Sequence, residues 1–171
     1  LDLRLAADVE QGVVCLRQGK EAGRDNVRFE REGVLARIDE VDAEQAGILQ
    51  VRCTGTQRFA IDGSPYQQLD GLWLADVILQ PDDDVQAPEP ALMATVKALA
   101  NAIDALRKQG TKPFVDPYRF DDAGWVANRL AELLPLSPGH KQHCLELDDP
   151  VERLRFLRPL FEITTEPPTA G

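Results

Sequence analysis

One stretch limits what this chain can fold into more than any other: Pro81-Asp82-Asp83-Asp84-Val85-Gln86-Ala87-Pro88-Glu89-Pro90. It is acidic, rich in proline and nearly free of large apolar groups. Proline can neither donate to a β ladder nor continue a helix, so the stretch reads as a connector. The expected organisation is therefore a β-rich part over 1–80, a linker over 81–90, a helical bundle over 91–163 and a frayed tail over 164–171.

Before the connector the apolar residues come in short β-branched runs: Gly12–Leu16, Val34–Ile38, Ile48–Arg52, Gln57–Ile61 and Leu72–Leu79. Turn residues separate them at Gly23–Asn26, Ala46–Gly47, Asp62-Gly63-Ser64-Pro65 and Asp70–Gly71. The charged run Arg28–Glu32 reads as a solvated loop or strand end. Five short strands with no amphipathic helix between them predict an antiparallel sheet closing towards a barrel.

After the connector the period changes. Leu92, Val96, Leu99, Ile103 and Leu106 form one helical stripe, with Gly110 at the expected stop. Asp121 or Asp122 can cap a second helix that buries Trp125, Val126, Leu130, Leu133 and Leu134. Ser137-Pro138 starts a third, running through Leu147. Asp149-Pro150-Val151-Glu152 combines a cap, a first-turn proline and a capping-box acid, and starts a fourth with Leu154, Leu157 and Leu160 or Phe161 on one face. The class is α+β with segregated halves.

Charge narrows the partners. The chain has 171 residues, 19 Lys and Arg against 29 Asp and Glu, and a formal charge of -10. Such a chain is repelled by phosphate backbones and anionic lipid, so neither nucleic acid nor membrane is an expected partner. No stretch reaches the roughly 18 apolar residues of a span, and no leader pattern precedes Leu1, so a cytoplasmic location is expected. Three distant cysteines, Cys15, Cys53 and Cys144, fit a reducing compartment and read as buried thiols.

Catalytic signatures are weak. Gly19-Lys20-Glu21 lacks the hydroxyl and the earlier glycine of a phosphate loop. Ser64 and Ser137 lie in no nucleophile elbow, and read as turn and cap residues. His140, His143 and Cys144 fall on neighbouring helical positions and could hold zinc, with Glu146 or Asp148 as a fourth ligand. They read more simply as packing and surface residues. Asp82-Asp83-Asp84 and Asp121-Asp122 lack the spacing of a calcium loop and read as solvated. Trp73 and Trp125 are expected core anchors. No catalytic residue, cofactor or metal site is assigned.

The order of segments carries a resemblance. Gly33-Val34-Leu35-Ala36-Arg37-Ile38, then Val51-Arg52-Cys53-Thr54-Gly55-Thr56-Gln57-Arg58-Phe59-Ala60-Ile61, then Leu74-Ala75-Asp76-Val77 resembles the β-rich half of the Lon protease N-terminal domain. The run Trp125 to Leu134 is similar to that domain's Leu-Ala-Asp-x-Ile-Ala helix. Lys141-Gln142-x-x-Leu145-Glu146 and Val151-Glu152-Arg153-Leu154 are similar to its Lys-Gln-x-Leu-Leu-Glu and Arg-Leu ending. The likeness spans roughly residues 10–163. The family's opening strand and helix start are missing, as though residues were lost between about Arg4 and Leu5. Trp125 and Pro117–Asp122 look like the small stand-alone bacterial Lon-domain proteins, which lack the ATPase and protease domains, and the end at Gly171 agrees.

The resemblance implies a PUA-like antiparallel β-barrel subdomain followed by a small helical bundle, acting as a non-catalytic module that binds polypeptide or a partner protein. Its expected anchors are the aromatics Phe59, Tyr66, Trp73, Phe114 and Tyr118. The alternatives are a hydrolase or metal-binding protein with a site near His140, His143 and Cys144, and a small-ligand sensor.

Overall fold

A computed structural model describes residues 10–18, 27–45 and 48–165. The turns expected at Gly23–Asn26 and Ala46–Gly47, the break expected near Arg4 and Leu5, and the tail after Thr165 lie outside the described residues. The chain divides into two compact units between Asp82 and Asp83.

The first unit is an antiparallel meander of β1 (Glu10–Gln18), β2 (Arg28–Gln45), β3 (Ile48–Gln67) and β4 (Trp73–Leu79), in that spatial order. Among the described residues four strands stand where five were expected, because Ile48–Arg52 and Gln57–Ile61 belong to one long strand. The residues between them are held across the pair: Thr54 Oγ1 donates to Asp39 Oδ2 at 2.5 Å, and Thr56 Oγ1 to the Leu35 carbonyl at 3.1 Å. Arg28–Glu32 is the start of β2, not a loop.

Asp62-Gly63-Ser64-Pro65 also departs from expectation. It forms a bulge inside β3, where the register jumps from Asp62↔Asp76 to Tyr66↔Leu74. Gly63 takes φ +68° there, a left-handed conformation that glycine adopts without steric cost, and Pro65 sits where no ladder donor is needed. The residues have turn chemistry, but here it bends a strand.

Among the described residues, the apolar side chains buried in this unit are Ala36, Phe59 and Ile61. The Phe59 ring fills space left by Gly33 on the adjacent strand β2 and by Gly12 on β1, one strand farther on. A Cβ at Gly33 would lie 2.6 Å from Phe59 Cζ and 2.5 Å from the Val13 carbonyl oxygen, and one at Gly12 would lie 3.1 Å from the same ring.

The second unit contains a 3₁₀ turn (Pro90–Leu92) and then α1 (Met93–Lys108), α2 (Ala123–Leu133), α3 (Pro138–Glu146) and α4 (Pro150–Thr165). The three predicted caps are in place. Asp122 accepts from the Gly124 and Trp125 amides, Ser137 from His140, and Asp149 from Val151 and Glu152. Thr111 N donates to Leu106 O and Gly110 N to Arg107 O, closing α1. The helix α4 reaches Thr165, farther than expected, and carries Pro159, which leaves the Arg155 carbonyl without its helical donor.

This unit has the larger core. Leu92, Val96, Leu99, Ile103, Trp125, Val126, Leu130, Leu134, Leu154 and Leu157 are all buried, while Leu133 is exposed, against expectation. Each fully buried leucine contributes about 1.5–3 kcal/mol. The acidic run is not simply solvated: Arg153, only 2% exposed, donates to both carboxylate oxygens of Asp83 at 2.6 and 3.3 Å. Its remaining donors reach the Cys144 carbonyl (2.9 Å), the Leu147 carbonyl (2.5 Å) and Asn128 Oδ1 (3.2 Å), so the guanidinium is fully satisfied. Ala123 N donates to the Gln86 carbonyl at 2.7 Å and Arg155 pairs with Glu89, fixing the segment after Asp83 to the helices.

Candidate functional site

The expected anchors fall in different surroundings. Phe59 and Phe114 are 2% and 6% exposed, so both are core residues with little ring surface to offer a partner. Phe114 packs edge-on to Trp125, whose ring also meets Tyr118 and Phe120. Tyr118 is half-buried, and its buried hydroxyl has no hydrogen-bond partner among the described residues. Tyr66 is 58% exposed on β3. Trp73 is half-buried at the start of β4, edge-on to Phe29 at 5.5 Å between centroids. Trp125 is a core anchor; Trp73 is only partly so.

The polar helix does not assemble a ligand set. His140 and His143 are exposed, and both lie edge-on to Phe156, at 5.9 and 4.7 Å. Cys144 is buried in the helical core, where burial pushes its thiol above the usual range while nearby Arg153 partly opposes this. Among the described residues, no three His, Cys, Asp or Glu side chains gather as a metal-holding group. The other thiols are less buried than expected: Cys53 is exposed and Cys15 half-buried.

Two features of the β unit stand out. The first is apolar surface left in water. Val13 and Leu16 on β1, and Val77, Ile78 and Leu79 on β4, are all exposed, as are Leu69 and Leu72 in the turn before β4. The strands β1 and β4 are the two edges of the described sheet, so their outer amides and carbonyls have no ladder partner within it. Beyond the reach of β1 and β4, the β2–β3 pair continues as a two-stranded ribbon carrying exposed Ile48, Leu49 and Val51. The Asp39 carboxyl in this ribbon is held below its ordinary value, first by the Thr54 hydroxyl and then by Arg37.

The second feature is a cleft of about 610 Å³ lined by Arg17, Val27, Arg28, Phe29, Arg31, Ile61, Pro65 and Trp73. The bulge helps to build it. Arg31 Nη2 donates to the Ile61 and Gly63 carbonyls at 2.6 and 3.1 Å, fixing that guanidinium in the wall. Arg17 pairs with Glu30 at 3.0 Å. Arg28 has no ion-pair or hydrogen-bond partner among the described residues. Sequence reasoning missed this cleft. Its signal is the basic and aromatic run Arg28-Phe29-Glu30-Arg31, which by composition reads only as a solvated loop or strand end.

No helix among the described residues is long and apolar enough to cross a membrane. A family described as the ATP-dependent protease La (LON) substrate-binding domain matches residues 3–161. The fold is similar to that of a Lon N-terminal domain protein from Xanthomonas campestris, 26% identical, with a TM-score of 0.66 over 93% of this chain and 77% of that one. It is also similar in fold to the N-terminal domain of Lon protease from the Mycobacterium avium complex, 22% identical, with a TM-score of 0.60 over 88% and 77%. No curated protein matches the chain.

Proposed function

On the premise that this chain belongs to the LON substrate-binding domain family, we propose that it is a non-catalytic module that holds polypeptides. The observation that carries the reading is the β unit's open apolar surface. Two edge strands with exposed Val13, Leu16, Val77, Ile78 and Leu79 present backbone groups that have no ladder partner among the described residues, beside apolar side chains. An extended segment of another chain can add as a further strand, its amides and carbonyls completing the ladder while alternate side chains cover the apolar positions. The charge of -10 disfavours nucleic acid as the occupant. The cytoplasm, where unfolded and nascent chains occur, is the proposed place of action.

The test is calorimetric titration with reduced, S-alkylated lysozyme, a permanently unfolded chain. Binding is expected, and Ile78→Asp on the exposed face of β4 should weaken it without affecting folding. Absence of heat with this and two further unfolded chains would refute the reading.

A further inference from the structure

The charge of the cleft runs against that of the chain. In a protein with a net charge of -10, three guanidiniums (Arg17, Arg28 and Arg31) line one cavity, with Glu30 as the carboxylate paired there. Two of the three are engaged: Arg17 by Glu30, and Arg31 by backbone carbonyls. Arg28 lacks a partner among the described residues. Beside them stand the Phe29 and Trp73 rings, and the buried Trp73 indole N–H has no acceptor among the described residues.

We infer that this cleft is a subsite for acidic segments of polypeptides, in which Asp or Glu carboxylates alternate with apolar or aromatic residues. The inference rests on the polypeptide-binding reading and names the class of segment selected. Guanidinium is the group best matched to a carboxylate, since its planar fork can donate two parallel hydrogen bonds. Here the Arg28 guanidinium, which has no ion-pair or hydrogen-bond partner among the described residues, lines a cleft that also contains the Phe29 and Trp73 rings, so a carboxylate and a neighbouring apolar side chain are recognised together. A volume of about 610 Å³ takes a few side chains and no folded domain. The chain as a whole is net negative and repels the same segment, which favours this basic cleft over the remainder.

The intact chain is titrated, by fluorescence anisotropy, with a labelled peptide alternating Glu with Leu and Phe, and with its Gln counterpart. The Glu peptide should bind at least tenfold more tightly, and its advantage should shrink as NaCl rises from 50 to 500 mM, roughly as the screening length shortens. Arg28→Gln removes a charge that makes no described internal contact, so the fold is retained. It should abolish most of the preference, whereas Arg119→Gln in the helical unit should leave it intact. Equal binding of the two peptides, or an unchanged preference in Arg28→Gln, overturns the inference. So does displacement of the Glu peptide by micromolar inorganic pyrophosphate, which would make the cleft a phosphate site. If S-alkylated lysozyme binds while the Glu peptide shows no preference, this inference fails alone. If neither binds, the broader reading fails with it.

Discussion

Replacing Asp83 by Ala tests how the helical unit is held together. The Arg153 side chain is 3% exposed and that of Asp83 19%, and the two form a bidentate pair. The substitution leaves the guanidinium buried with three of its five donors satisfied, by Cys144, Leu147 and Asn128, and its charge uncompensated. Breaking a buried pair from one side costs about 3–5 kcal/mol, because the stranded charge cannot regain water. Against a typical total of about 5–15 kcal/mol, that is a large share of the stability. Urea unfolding followed through Trp125, in a Trp73→Phe background, should show the midpoint falling steeply. The exposed neighbours provide the control: Asp82→Ala and Asp84→Ala should each stay within about 0.5 kcal/mol of the parent. If Asp83→Ala behaves like these two, the carboxylate is a solvated bystander and the reasoning is refuted.

Two further outcomes are expected. Gly33→Ala should destabilise the β unit by about 1–3 kcal/mol, since the new methyl meets the Val13 carbonyl and the Phe59 ring at once; thermal unfolding followed through Trp73 in a Trp125→Phe background checks this. Thr54→Val should raise the Asp39 titration midpoint towards its ordinary 3.8, as read by carboxyl NMR. Because the folded-state value is depressed, the stabilisation from this carboxylate is present above about 3.8 and lost as pH falls through the lower folded value, and Thr54→Val should blunt that loss.

Local chemistry was the legible part. The caps at Asp122, Ser137 and Asp149 act on amides two or three residues away, so their sequence context suffices. The stripe of α1 was legible for the same reason. What escaped was long-range. Asp62–Pro65 has the composition of a turn, and only pairing with β4 makes it a bulge. Phe59 reads as an available aromatic until glycines from β1 and β2 are placed beneath it. The cleft needs β1, β2, β3 and β4 together, so the grouping of Arg17, Arg28 and Arg31 has no counterpart in linear spacing. Asp83 looked solvated because its partner lies seventy positions later in the chain.

The two margins of the described sheet have a colloidal consequence. A border able to accept a stranger's strand can equally accept that of a twin, and the remedy here is electrical: every twin carries the same -10. That protection reaches only about 10 Å at 0.1 M salt and about 3 Å at 1 M. Ionic strength therefore sets how well the molecule keeps to itself, and concentrated brine is where its copies would begin to zip together.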